Sequence, residues 1–124
     1  MAHILIVEDE PDIAEGLASL LQAEGHAVTQ APDGEAALQA MRRGLVPDLI
    51  VLDLTMPVMD GYEFRRHQLE DPRFDQVPVI VLTANTRVRD RHALKAHAIL
   101  TKPVDFGVLC EGINAALSTR TVAP

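Results

Sequence analysis

The sequence predicts an α/β fold, a doubly wound five-stranded parallel sheet with helices on both faces. Three observations predict it. Apolar runs of strand length, rich in Ile, Val and Leu, alternate with stretches of helical periodicity. The strongest runs are continuous rather than alternating, as expected of strands buried on both faces of a parallel sheet. The length, 124 residues, suits one domain.

The elements follow in order. His3 to Val7 reads as the first strand and ends in Glu8-Asp9. Pro11 to Glu24 reads as a helix, with Ile13, Leu17, Leu20 and Leu21 at helical spacing. Pro11 suits the first turn and Gly25 the position just past the end. His26 to Ala31 alternates weakly as a second strand. Asp33 can cap a helix carrying Ala37, Leu38 and Met41, closed by Gly44. The run Asp48 to Asp53 is the third strand, and Met56-Pro57 and Asp60-Gly61 mark the loop after it. Gly61 to Leu69 is a helix stopped by Asp71-Pro72. Val77 to Leu82 is a fourth strand, followed by a polar, Arg-rich segment from Asn85 to His97. Ala98 to Thr101 is a short fifth strand ended by Lys102-Pro103. Asp105 can cap a last helix with Leu109, Ile113, Ala116 and Leu117 on one face. The domain is expected to span 1–117, with 118–124 as a flexible tail.

Composition excludes several functions. Only 3% of residues are aromatic, so the core must be aliphatic. The net charge of −7 argues against nucleic-acid binding and favours a cation at any acidic cluster. No apolar run approaches the roughly 20 residues of a membrane span, and no signal-peptide pattern is present. Cys110 is the single cysteine, so no internal disulfide can form, which fits a cytoplasmic protein.

Ligands of open α/β sheets bind outside the carboxyl ends of the strands. Those ends carry Glu8 and Asp9, Asp53, Thr83-Ala84, and Lys102-Pro103. Carboxylates, a hydroxyl and an ammonium would therefore converge on one edge. Mg²⁺ binds through one or two carboxylates and takes its remaining ligands from water and phosphate. An aspartate can also act as a nucleophile and carry a phosphoryl group. Phosphoryl transfer then needs positive charge and in-line positioning.

With these residues in order, the chain resembles a CheY-like receiver domain of two-component response regulators. The resemblance rests on Val7-Glu8-Asp9-Glu10, Asp48 to Asp53, Met56-Pro57 with Asp60-Gly61, Thr83-Ala84, and Lys102-Pro103, and covers essentially the whole chain. It implies a flavodoxin-like fold and phosphorylation of Asp53 by a histidine kinase or a histidine phosphotransfer protein. It implies an acidic pocket of Glu8, Asp9 and Asp53. Mg²⁺, with Mn²⁺ as an alternative, would be held by Asp9, Asp53 and the Thr55 carbonyl. Thr83 and Ala84 would meet the phosphoryl group, Lys102 would pair with it, and a cis peptide would precede Pro103. Thr55 and Asn85 occupy the positions that tune phosphoryl lifetime. Neither is an evident acid or base, so no fast self-hydrolysis is expected.

The pattern departs from the family in one region. The switch position three before the lysine, usually aromatic, is Ile99. The interval from Thr83 to Lys102 is about one helical turn, ~3–4 residues, shorter than is common. A short or irregular fourth helix within Thr86 to Ala96 is expected, with signalling through the loops after Asp53 and Thr83. Arg87, Arg89, Arg91 and Lys95 read as a solvated face or as a docking surface for an acidic partner. His92 and His97 read as surface residues, and Met56 and Met59 as packed. Rival readings are an aspartate-nucleophile phosphatase, disfavoured by Thr55 two after Asp53, and a receiver-like module that is never phosphorylated. A stand-alone regulator is favoured over a receiver excised from a larger regulator or hybrid kinase; neither names the downstream partner.

Overall fold

The computed structural model describes residues 2–84 and 91–121. Five strands, β1 (His3–Val7), β2 (Ala27–Ala31), β3 (Leu49–Asp53), β4 (Val79–Thr83) and β5 (Ala98–Thr101), pair in parallel in the order β2-β1-β3-β4-β5. Among the described residues five helices connect or follow them: α1 (Pro11–Ala23), α2 (Gly34–Arg42), α3 (Gly61–Glu70), α4 (Arg91–Leu94) and α5 (Phe106–Thr121). This is the doubly wound, flavodoxin-like arrangement expected from the sequence.

Side chains alternate across the pleat, so each central strand feeds two cores. Ile4, Ile6, Leu49, Val51, Ile80 and Leu82 face α1 and α5. Leu5, Val7, Ile50, Leu52, Val79 and Val81 face α2, α3 and α4. β3 and β4 are buried along their whole length, which explains why they read as unbroken apolar runs. On α1, Ala14, Leu17, Ala18 and Leu21 make the buried stripe. Met56 and Met59 pack into the second core, as expected.

Local signals set the boundaries. The Asp33 carboxylate accepts the Ala36 N–H, and Asp60 accepts that of Glu63, each satisfying an orphan donor at a helix start. Asp105 does the same for Val108. Gly25 and Gly44 follow α1 and α2 at φ +98 and +118, the left-handed conformation that ends a helix cheaply. The fourth strand starts later than the apolar run suggests, because Val77 N–H turns back to Phe74 O and Pro78 has no N–H to give a ladder. α5 continues to Thr121, beyond the Leu117 boundary expected from periodicity. Among the described residues α4 is a single turn, and residues 86–90 of the range expected for it lie outside them.

Gly61 locks the loop after β3 to the start of α3. Its N–H donates to Leu54 O at 2.9 Å. A Cβ there would lie 2.7 Å from Asp53 O and 2.8 Å from Leu54 Cα. Both obstacles are backbone and cannot rotate aside. Gly61→Ala is expected to cost about 2 kcal/mol, read as a lower urea midpoint at unchanged slope. A midpoint within error of wild type would contradict this.

Candidate functional site

Strand register builds the site. Val7 lies opposite Leu52, Asp53 opposite Leu82, and Thr83 opposite Thr101. The ladder runs one step further, with Lys102 N–H donating to Thr83 O at 2.8 Å. Glu8 likewise extends β1 by donating its N–H to Ala31 O. The residues that follow β1, end β3 and β4, and follow β5 therefore share one edge.

Glu8 and Asp53 are buried, at 3% and 5% exposure, and Asp9 is half-buried. A carboxylate oxygen from each lies within 4.8 Å of the others. Opposite oxygens around an octahedral Mg²⁺ are about 4 Å apart, so these three can surround one small cation. The donor set is hard oxygen throughout, which suits a divalent cation of that class.

Lys102 is the counter-charge. Its Nζ donates to Glu8 Oε1 at 2.7 Å and lies 3.5 Å from Asp53 Oδ2. The second Glu8 oxygen accepts the Glu10 N–H at 3.2 Å. Glu8 is thus already engaged, while Asp53 accepts a 3.3 Å bond from Thr55 N–H. Burial raises the Asp53 pKa first, and the Glu8 charge raises it further; Lys102 and the Thr55 N–H oppose them, leaving it at about 7. Burial disfavours the Lys102 ammonium, but the Glu8 hydrogen bond and the Asp53 and Glu8 charges outweigh it and raise its pKa.

Thr83 is buried at 2% exposure on the strand beside Asp53, and Ala84 after it is exposed. Thr55 is exposed in the loop after Asp53. The Lys102–Pro103 peptide is cis. Ile99 is half-buried on β5 and packs against the core under α3 and α4. Asn85, Arg87 and Arg89 lie outside the described residues.

The chain matches the response regulator receiver domain family over residues 4–114. It belongs to that family. The receiver is 36% identical over 121 residues to Protein PilH of Pseudomonas aeruginosa, covering 95% of this chain and 99% of PilH. It is 38% identical to the transcriptional regulatory protein GlrR of Escherichia coli, covering 98% of this chain but 28% of GlrR. The signal receiver domain of a histidine kinase from Syntrophus aciditrophicus superposes with a TM-score of 0.90 at 33% identity, covering 100% of this chain and 96% of that one. The response regulator TrrA of Thermotoga maritima, solved in complex with Mg(2+)-BeF, gives 0.83 at 32% identity, covering 94% and 99%. Receiver domains catalyse only their own phosphoryl transfer and dephosphorylation, and the family implies a histidine kinase or phosphotransfer protein as donor. Among the described residues no helix is long and apolar enough to cross a membrane.

Two features escaped the sequence reading. Val58, between Asp53 and α3, holds φ +70 while 80% exposed, a strained state for a β-branched residue. Arg65 is buried on the inner face of α3 at 4% exposure, and burial lowers its pKa to about 10. The signal was present: Gly61, Phe64, Arg65 and Gln68 fall on one helical face, and all four are buried.

Proposed function

We propose that Asp53 is the phosphoacceptor of this receiver, that Mg²⁺ supports the transfer, and that Thr83 and Lys102 report it. The observation that carries this is the convergence at Asp53: a buried carboxylate 3.5 Å from Lys102, within 4.8 Å of the Glu8 and Asp9 oxygens, on the strand next to Thr83. Asp9, Asp53 and the Thr55 carbonyl would hold the cation, with Glu8 in support; Mn²⁺ has the same oxygen preference. The bound cation supplies positive charge to the transferred oxygens. An Asp53 carboxylate oxygen attacks phosphorus, and the bond from phosphorus to the donor's histidine nitrogen breaks.

The acyl phosphate carries about −1.5 to −2 charge beside Lys102, in place of the single carboxylate charge consumed in forming it. Lys102 then turns from Asp53 to the phosphoryl oxygens, and the Thr83 hydroxyl donates to them. These differential contacts are what bias the domain between two states. Thr55 and Asn85 carry no acid or base, which favours a long-lived phosphoryl group. A cytoplasmic histidine kinase or phosphotransfer protein is the donor in this reading.

Incubation with acetyl phosphate and Mg²⁺, followed by intact mass measurement, tests it. Wild type should gain one phosphoryl group and Asp53→Asn none. No gain, even with a cognate kinase, would point to a binding module instead. Continuous hydrolysis of small phosphate esters would point to a phosphatase.

A further inference from the structure

Arg65 is an unusual buried charge. Lysine and arginine are almost never fully buried without a partner, and that partner is commonly a carboxylate. Among the described residues no carboxylate pairs with Arg65. Its guanidinium instead donates to Leu94 O at 2.6 Å, Lys95 O at 2.9 Å and Gln68 Oε1 at 2.8 Å. The Gln68 amide donates onward to Phe74 O at 2.9 Å and Val77 O at 3.0 Å. Two side chains of α3 thus hold the segment leading into β4 and the end of α4.

α4 needs such help. Among the described residues it is one turn, too short to sustain itself, and its last carbonyls meet no donor within the helix. Leu94 ends it and is buried at 1%, and Lys95 turns away at φ +47. Arg65 supplies both donors and positive charge at that C-terminal end. Two residues on, His97 N–H donates to Val79 O at 2.8 Å, and β5 begins with Ala98, carrying Ile99. Arg65 therefore grips the chain just before the strand that leads to Lys102.

We propose that Arg65 is a positioning residue that fixes the C-terminal end of α4 to α3, so that a change begun at Thr83 moves the Arg91 end of α4 about this anchor. Ile99 has no ring to swing, and the pivoting helix reports in its place. The pivot rests on the phosphorylation of Asp53; the anchor does not.

The test uses the full chain as wild type, Arg65→Met and Arg65→Lys. Intact mass after acetyl phosphate and Mg²⁺ first establishes whether each takes a phosphoryl group. Residue-resolved amide exchange and amide shifts then follow. In Arg65→Met the His97 amide should exchange about tenfold faster or more, while β1 and β3 amides keep wild-type rates. Arg65→Lys should fall between, since an ammonium lacks the fork that spans Leu94, Lys95 and Gln68. On phosphorylation of wild type, Arg91 and His92 amides should shift while Lys95 to His97 stay; in Arg65→Met the shifts should spread through Lys95 to His97. Unchanged His97 exchange in Arg65→Met overturns the anchor. Equal shifts at both ends of α4 in wild type overturn the pivot. A wild type that takes no phosphoryl group overturns the site reading and the pivot with it, while exchange in the unphosphorylated variants still decides the anchor. Should Arg65→Met fail to fold, Arg65→Lys and the wild-type shifts decide.

Discussion

Asp53→Asn is expected to stabilise the cation-free protein at about pH 8 by on the order of 3 kcal/mol, and to do little at about pH 4. Asp53 titrates near 7 in the folded chain against an ordinary 3.8, raised by burial and by Glu8. Well below 3.8 the carboxyl is protonated in both states and adds nothing. As pH rises, the unfolded chain ionises first, so the folded state loses ground until its own carboxyl ionises. The penalty is complete above about pH 7 and persists at higher pH. An asparagine, which cannot ionise, escapes it. Urea unfolding in chelator at the two pH values measures the difference. Mg²⁺ should raise wild-type stability more than that of the variant, since it binds the folded carboxylates. An equal effect at both pH values, or a loss of stability at pH 8, would show that the Asp53 carboxyl is not held up.

Lys102→Met should do the opposite, at a cost of about 3 kcal/mol near pH 8. Methionine keeps the length and much of the volume, so the loss is electrostatic. Glu8 is left buried without the 2.7 Å bond to Nζ, facing Asp53 and Asp9 within 4.8 Å. The cost should shrink toward about pH 5, where Asp53, held up by burial, is protonated and no longer repels Glu8. Asp53→Asn added to Lys102→Met should recover part of the loss. The two changes are expected to be non-additive, because they share one network. Purely additive free energies would mean that Lys102 answers to Glu8 alone.

Much of this was legible from local chemistry. Continuous runs such as Leu49 to Asp53 and Val79 to Thr83 could only be strands buried on both faces, and their ends had to meet at one edge. Asp33, Asp60 and Asp105 read as caps and act as caps. What stayed hidden depends on partners far along the chain. Lys102 pointed to a phosphoryl site, yet its strongest bond in this state is to Glu8, which no local pattern discloses. Arg65 sits in a polar helix and looks like a solvated residue; only the approach of the Leu94 and Lys95 carbonyls makes it a core residue. The boundary of β4 turned on the Val77 N–H, which Phe74 O takes before the ladder can.

The bond between Glu8 and Lys102 joins residues 94 positions apart. Its closure therefore waits on nearly the entire chain. A nascent or partly unfolded polypeptide carries the same carboxylates and the same lysine, but holds them as separate solvated charges. Long-range closures of this kind form late, after the loop entropy has been met by the rest of the fold. Competence at this edge is thus a certificate of completed folding. Unfolding that parts the first strand from the last would separate Lys102 from Glu8 and dismantle this edge.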